Sequence, residues 1–443
     1  MEPGPHDVEP AGPSERAPEP ARVDRRRFLA GALAGGAVAT AAGYGLGLRA
    51  RGGSGTGDRL GPGPAGPAPE AGTWSVFGPH QPGITTPQPA SGLVAAFDVD
   101  ARSRAGLGDT LELLTAKSQD LMSGASPPAR DAAVPPPDSG VLGPGWSPDG
   151  LTVTVSVGAS LFDHRYGLAA LRPRRLVRMP AFPNDDLDRS RCHGDLAIQL
   201  CAAHRDTVLH ALRELRGATA RMLTQRWMLE GFQRPNTLGP GRTSVRNLLG
   251  FKDGTANLDP RDGELMGRLV WVPPGGTEPA WAAGGSYQVV RIIKLFVEKW
   301  DLTPLRVQEE VIGRHRDSGA PLGGRREDEP PDFASDPHGQ VTPPFAHIRL
   351  ANPRTAATED SRILRRGFNY ARDAAGPGVD TGLLFISYQR DLERGFATVQ
   401  RRLAGEQLEE FVQPVGGGYF YALPGASAPG GYLGEPLIAA AGA

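Results

Sequence analysis

The stretch Leu-Thr-Val-Thr-Val-Ser-Val at residues 151–157 alternates apolar and hydroxyl side chains without interruption. Because successive side chains of a strand point to opposite faces of a sheet, this alternation predicts a β-strand. The surrounding runs predict strand, helix, strand, strand, helix, strand, which is the order of a ferredoxin-like unit. In chain order these predicted elements are Leu93–Val99, Leu107–Met122, Leu151–Val157, Asp195–Ala202, Asp206–Arg216 and Met222–Leu229.

A second, similar series follows in the C-terminal part of the chain. Its predicted elements are the strand Tyr287–Lys299, the helix Thr303–Ile312, the strand Gly382–Tyr388 and the helix Leu392–Ala404. We therefore predict an α+β fold with two ferredoxin-like halves, at residues 75–245 and 246–443. The polar segment Arg314–Pro344 inside the second half is too long for an ordinary connection, and such segments are usually functional or disordered.

The first 50 residues predict an export signal. Asp-Arg-Arg-Arg-Phe-Leu-Ala at residues 24–30 precedes an uncharged run rich in alanine and glycine, residues 31–48. This pattern is typical of a cleavable twin-arginine signal, and a retained membrane anchor is the less favoured alternative because the run is only weakly apolar. We predict a twin-arginine signal region at 1–50, a flexible Gly/Pro-rich linker at 51–74, and a periplasmic, extracellular or envelope location.

Charge and cysteine content exclude several classes of protein. The 443 residues include 48 lysines and arginines against 49 aspartates and glutamates, so no net charge favours nucleic acid. The two cysteines of the chain, Cys192 and Cys201, flank an apolar run. If that run is a strand, it holds them about 30 Å apart, which is too far for a disulfide bond. No Cys-x-x-Cys spacing occurs, which disfavours zinc ribbons, iron-sulfur clusters and covalently attached haem.

Three short segments of the second half contain an acid, a histidine and an arginine. Leu-Gly-Phe-Lys-Asp-Gly-Thr-Ala-Asn at 249–257 contains Asp253, although Asp-Gly alone is also a common turn. Phe-Ala-His-Ile-Arg-Leu-Ala-Asn-Pro at 345–353 contains His347, and Ile-Leu-Arg-Arg-Gly at 363–367 contains Arg365. Together the three segments resemble those of the dye-decolorizing peroxidases, a haem-peroxidase family, and the resemblance extends over most of residues 75–435.

The resemblance implies a dimeric α/β-barrel-type haem peroxidase fold and one non-covalent haem b per chain. A haem peroxidase needs an axial imidazole, an acid-base group on the opposite face and a fixed positive charge near the iron. By resemblance, His347 is the proximal iron ligand and Asp253 the distal acid-base residue. Arg365 is the candidate distal cation, with the adjacent Arg366 left open as an alternative.

Further site residues are implied less directly. Gly254 would allow the Asp253 loop to approach a flat ring closely. Arg349 and Arg354 are candidates for binding haem propionates, and Phe385 for the roof of the distal pocket. Two secondary candidates are His338 as a fallback ligand and Asp391 as the acceptor for the proximal imidazole.

The leading prediction is therefore a peroxidase that reduces hydrogen peroxide and oxidises dyes, phenols or metal ions. Since ordinary carboxylic acids have a pKa of about 4, we expect an acidic pH optimum. The twin-arginine leader and the amino-acid sequence of the Asp253 loop resemble those of the exported, iron-uptake-associated branch of the family. That likeness implies one alternative, a deferrochelatase that releases iron from haem. A second alternative is a non-catalytic haem-binding or transport protein, because the fold that the family resemblance implies also occurs in relatives that bind haem for other purposes. The likeness to the exported branch also implies the twin-arginine export machinery and iron-uptake proteins as partners, and it leaves the oligomeric state open, a homo-oligomer included.

Overall fold

The computed structural model describes residue 1 and residues 72–125, 131–234, 244–374 and 378–442. The predicted signal region, apart from Met1, and most of the predicted linker lie outside the described residues. Among the helices that are described, none is both long and apolar enough to cross a membrane.

The strands of the described chain are β1 (Ser91–Val99), β2 (Thr152–Gly158), β3 (Leu196–Ala202), β4 (Leu223–Phe232), β5 (Val245–Arg246), β6 (Lys252–Asp253), β7 (Ser286–Leu295), β8 (Leu364–Arg365), β9 (Phe368–Asp373), β10 (Val379–Gln389) and β11 (Val412–Ala422). Its α-helices are α1 (Arg104–Ser123), α2 (Arg205–Ala218), α3 (Gly263–Leu269), α4 (Val297–Asp301), α5 (Leu305–Ile312), α6 (His347–Ala351), α7 (Thr398–Leu403) and α8 (Glu435–Ala440). A π-helical turn, Glu393–Ala397, leads directly into α7.

Two ferredoxin-like halves build the main sheet, as predicted. In the first half the antiparallel strand order is β4-β1-β3-β2, with α1 between β1 and β2 and α2 between β3 and β4. In the second half the order is β11-β7-β10-β9, which repeats the same topology. The halves join edge to edge: β11 pairs with β2, and β4 pairs with β9. Because β7 also pairs with β10, the sheet closes on itself as a barrel.

Closure of the barrel explains why both faces of β2 are buried. Its valines pack with the helices of the first half, as Leu93 and Phe97 of β1 do. The hydroxyl face does not meet water either, because Thr154 donates to the carbonyl of Pro82 at 2.7 Å. Alternate residues of β1, Val94 and Ala96, belong instead to a core shared with strands of the second half. The 151–157 alternation therefore separates two buried surfaces rather than a core from solvent.

The second half differs from the prediction at its first strand. The strand ends at Leu295 rather than Lys299, and α4 follows, because Trp300 turns inward to join a small third core. The next helix begins at Leu305 rather than at Thr303, and the Thr303 hydroxyl donates to the carbonyl of Lys299. Strands β9 and β11 were not predicted. Both cysteines are free, as expected.

Candidate active site

The Asp253 loop is a short hairpin that is held in place by apolar packing. Strands β5 and β6 pair Val245 with Asp253. Leu249 and Phe251 enter the third core, where the Trp300 indole donates to the carbonyl of Leu249 at 2.9 Å. Gly254 has φ +113°, and a Cβ there would meet no atom within 4 Å. The glycine is therefore required by its backbone conformation, and it leaves open space beside the carboxylate.

Asp253 and Arg365 form an ion pair. The Arg365 Nη1 donates to Asp253 Oδ1 at 2.6 Å, and both side chains are partly exposed. Asn257, from the same loop as Asp253, fixes the backbone of Arg365: its Nδ2 donates to the Arg365 carbonyl at 2.7 Å, and its Oδ1 accepts from the Arg365 amide at 2.9 Å. One loop thus positions both members of the pair.

The choice between the two adjacent arginines is clear from their directions. Arg366 is buried, and its guanidinium donates to the carbonyl of Thr86 in the N-terminal segment. It points away from Asp253, as neighbouring residues of an extended chain do. Arg365 is therefore the arginine that lies at the site.

The ion pair borders a cavity. Phe385 and Leu383, two residues apart on β10, contribute apolar side chains to its wall, and Gly254 and Asn257 contribute polar backbone and amide groups. The sequence prediction for Phe385 and Gly254 thus agrees with their position beside Asp253 and Arg365, and their contact with a ring stays a prediction.

His347 begins α6 and is held by a buried acid. Its Nδ1 lies 2.8 Å from Glu406 Oε2 and 3.1 Å from Oε1. Burial opposes the charged imidazole, but the charge and hydrogen bond of Glu406 outweigh it and raise the pKa of His347. Asp253 and Arg365 lie close enough for their charges to act on this imidazole. With Nδ1 occupied by Glu406, Nε2 is the nitrogen available to a metal.

The prediction that Asp391 accepts from the proximal imidazole is wrong. The Asp391 carboxylate instead accepts from the amides of Glu393 and Arg394, both at 2.9 Å, and caps the π-helical turn that leads into α7. Glu406 lies just beyond α7 and takes the predicted role. The fallback ligand His338 is an exposed residue of the polar segment.

The polar segment 314–344 packs against the Asp253 loop. Glu327 accepts from Lys252 Nζ at 2.5 Å and from the Thr255 hydroxyl at 3.0 Å. Although burial favours the neutral acid, its bonds with Lys252, Ser244 and Thr255 hold the pKa of Glu327 below its ordinary value. The segment thus holds the residues on both sides of Asp253 in place.

The two arginines that are predicted to bind the haem propionates differ in their contacts. Arg349 is engaged by the polar segment: it donates to the Thr342 carbonyl at 2.7 Å, pairs with Asp336 at 3.2 Å and lies over the Phe333 ring. Binding a propionate would require it to exchange these bonds. Arg354 has a left-handed backbone, φ +57°, and its guanidinium makes no hydrogen bond or ion pair with any described residue.

Positive charge accumulates around Arg354. Burial, and then the charge of Arg362, lower the pKa of Arg354, and Glu359, which pairs with Arg362 at 3.1 Å, opposes them only in part. Burial, and then Arg354, likewise lower the pKa of Arg314, on which Arg365 also acts. Guanidinium groups that repel one another in this way are stabilised by a nearby anion, and the two propionates of haem would supply that negative charge.

These observations fit the haem that the resemblance implies. One imidazole with an oriented Nδ1 is a suitable axial ligand, since its partner fixes the ring and makes it more basic. Surplus guanidinium charge suits the propionates, and the Asp253–Arg365 pair suits a polar distal pocket. Within the described residues, no cluster of three or more metal-ligating side chains competes as a metal centre.

Sequence reasoning missed two site residues. Asn257 lay inside the quoted loop, and its position four residues after Asp253 was the available signal. Glu406 had no such signal, because it lies 59 residues after its partner in an ordinary Gly-Glu-Gln turn. Its identification needs the packing of α6 against α7.

Comparisons with known proteins agree with this site. The model of the N-terminal domain of the Dyp-type peroxidases matches residues 81–233, and that of the C-terminal domain matches residues 244–427. The chain is 50% identical over 365 residues to a deferrochelatase of Escherichia coli strain K12, covering 82% of this chain and 86% of the relative. It is likewise 50% identical over 365 residues to a deferrochelatase of Shigella flexneri serotype 5b, covering 82% and 87%.

Solved structures show the same likeness. A DyP-type peroxidase from Cellulomonas bogoriensis superposes with a TM-score of 0.74 at 37% identity, covering 84% of this chain and 99% of that one. Ferric DtpA from Streptomyces lividans superposes with a TM-score of 0.75 at 35% identity, covering 84% and 100%.

Proposed function

This chain belongs to the Dyp-type peroxidase family, and on that premise we propose that it is a haem b peroxidase that reduces hydrogen peroxide while oxidising dyes, phenols or metal ions. The observation that carries the proposal is the 2.6 Å ion pair between Arg365 and Asp253, which borders a cavity and acts electrostatically on His347. A carrier of haem would have no need for an acid-base residue beside a fixed cation.

Haem b, bound through His347, would supply the redox chemistry that cleaves the oxygen-oxygen bond. The chain supplies the proton transfer. Asp253 would accept a proton from one oxygen of hydrogen peroxide and return it to the other, which leaves as water. Arg365 would stabilise the negative charge that develops on the departing oxygen, since its guanidinium stays protonated.

The test is the substitution Asp253→Asn. Asparagine keeps the size of the side chain and can still accept a hydrogen bond from Arg365, but it cannot take up a proton. We expect haem content to be unchanged and kcat/KM for hydrogen peroxide to fall by about 10²–10⁴-fold. The matched control is Asp391→Asn, a carboxylate that caps a helical turn. Full activity of Asp253→Asn would remove the acid-base role and would revive the non-catalytic haem-binding alternative.

Deferrochelatase activity is the second candidate, because relatives at about 50% identity carry that name. In this reaction haem is the substrate and its iron is released, leaving protoporphyrin. Purified protein given haem and a reductant should then develop porphyrin fluorescence at a rate that depends on Arg354. Absence of fluorescence from the wild-type protein would leave the peroxidase function alone, and it would also remove the reason to expect iron-uptake partners.

Export by the twin-arginine route belongs to the same proposal. Its support is Arg25 and Arg26 ahead of Phe28-Leu29 and an uncharged run. Replacing both arginines by lysine keeps the charge, so a simple basic tail would tolerate the change. We expect the double variant to remain in the cytoplasm on cell fractionation, whereas Arg22→Lys should be exported. Equal export of both variants would contradict the signal.

A further inference from the structure

A second cavity, of about 490 Å³, lies beside the first half of the barrel. None of its lining residues belongs to the cavity beside Asp253 and Arg365. Its volume is within the range of about 300–1,000 Å³ usual for small-molecule sites. No step of the peroxidase proposal uses it.

The charges that line this cavity do not balance. It is bordered by four arginines and two aspartates. Arg226 pairs with Asp98 at 3.0 Å, and Arg165 pairs with Asp195 at 2.9 Å. The remaining two, Arg172 and Arg178, make no side-chain hydrogen bond or ion pair within the described chain. The cavity therefore presents two uncompensated guanidinium groups.

The loop that carries these two arginines is anchored on both sides of its middle. The Arg174 amide donates to Glu278 at 2.7 Å, and the Arg175 amide donates to the Tyr287 hydroxyl at 2.9 Å. Leu176 is fully buried in the main core. The backbone between Arg172 and Arg178 is thus fixed, and both side chains are exposed.

The backbone at His193 gives a further indication. This residue lines the cavity in a left-handed conformation, φ +60°, which is uncommon outside glycine. Its amide donates to Gly417 at 2.8 Å and its carbonyl accepts from the Trp227 indole at 2.7 Å, which holds the conformation in place. Non-glycine residues kept in such conformations occur often at ligand sites.

We propose that this cavity binds an organic anion with two acidic groups, one for Arg172 and one for Arg178. Guanidinium groups pair with carboxylates and phosphates in two-pronged hydrogen bonds, so both kinds of acid suit the site. An ion with one acidic group would fill only a small part of the volume. The ligand class is therefore a small dicarboxylate, tricarboxylate or bisphosphate.

The experiment is calorimetric titration of the haem-loaded protein with citrate in one arm and inorganic pyrophosphate in the other. The test variant is Arg172→Gln/Arg178→Gln. The matched control is Arg174→Gln/Arg175→Gln, which removes the same charge from the same exposed loop without touching the cavity. We expect saturable binding of at least one probe, weakened about 100-fold in the test variant and unchanged in the control. Citrate alone would identify carboxylates as the ligand chemistry, and pyrophosphate alone would identify phosphates.

No saturable binding of either probe, or equal loss in the test and control double variants, overturns the proposal. The haem absorbance band is followed in parallel, so that loss of haem, which concerns the active site, is distinguished from loss of the anion site.

Discussion

At the scale of single residues, a buried acid raises the pKa of His347, the proposed iron ligand. Glu406 is 92% buried. Among the described residues, its carboxylate makes side-chain hydrogen bonds only with His347 Nδ1. An ionised partner makes an imidazole more basic and fixes its orientation, and such partners typically contribute about 10–100-fold to metal affinity or activity. Glu406 is accordingly a positioning residue that acts through His347.

The substitution Glu406→Gln tests this role. Glutamine keeps the size and can accept from Nδ1, but it removes the negative charge. We expect haem affinity, measured by titrating haem into the apoprotein, to fall about 10-fold or more, and the reduction potential to become more positive. Glu409→Gln, three residues along the chain, should change neither. An unchanged potential in Glu406→Gln would mean that the acid has only a packing role.

A second residue-scale prediction concerns pH and stability. Burial, and then the charges of Arg178 and Arg226, lower the pKa of His193 to about 4, whereas an unfolded histidine has a pKa of about 6.5. Between these values the unfolded chain binds the extra proton, so stability should fall as pH decreases through this window and should not depend on His193 above it.

Comparison with His193→Asn isolates this contribution, because asparagine tolerates the left-handed backbone and does not titrate. The difference in unfolding free energy between pH 7.5 and pH 5, measured with denaturant, should be smaller in the variant than in the wild type. Equal differences in the two proteins would show that His193 carries its proton equally in both states.

At the scale of elements, the third core couples the Asp253 loop to helices α4 and α5. Leu249 and Phe251 from the loop meet Trp300 of α4 and Val311 of α5. The Phe251 and Trp300 rings lie edge to face with centroids 5.8 Å apart. Since the proposed acid-base role of Asp253 requires its carboxylate to be held within a fraction of an ångström, we expect this packing to affect activity as well as stability.

Trp300→Phe tests that coupling. The change removes the indole donor of the Leu249 carbonyl and leaves that buried acceptor unpaired, at a cost of about 1–3 kcal/mol. The control is Trp281→Phe, which removes a similar indole bond, 2.8 Å to the Leu171 carbonyl, in another core. We expect both variants to lose thermal stability, but only Trp300→Phe to lose peroxidase activity beyond the loss of folded protein. Parallel activity losses would contradict a specific link to the loop.

Elements with a clear period were predictable from sequence, and elements set by distant contacts were not. Strands β1 to β4 and helices α1 and α2 carry regular apolar spacing and were predicted within a few residues. Strand β11 was missed because Pro414 and the run Gly416–Gly418 break its pattern, and the sheet tolerates them through a register shift. In the site, Asp253, His347 and Arg365 were recognisable as local motifs. Glu406 was not, since only the packing of two helices brings it to His347.

At the scale of the whole molecule, the two halves form one closed barrel. Strand β2 shares three residue pairs with β11, and β4 shares one pair with β9. Phe368 of the second half lies against two glycines of the first: a Cβ on Gly92 or Gly231 would come within 2.5 Å of its side chain. Glycine at those positions is required by this close approach. Each half thus completes the core of the other.

This arrangement predicts that the halves unfold together, although each has its own ferredoxin-like topology. Phe368→Ala would leave a cavity between them and should lower the unfolding free energy by about 3–5 kcal/mol. Because the aromatic ring belongs to a core that contains Val94 and Ala96 as well as Leu384, we expect hydrogen exchange to increase in β1 and β4 as much as in β9 and β10. Two separate halves would respond differently: the strands of the second half alone would lose protection, and calorimetry of the apoprotein would resolve two transitions.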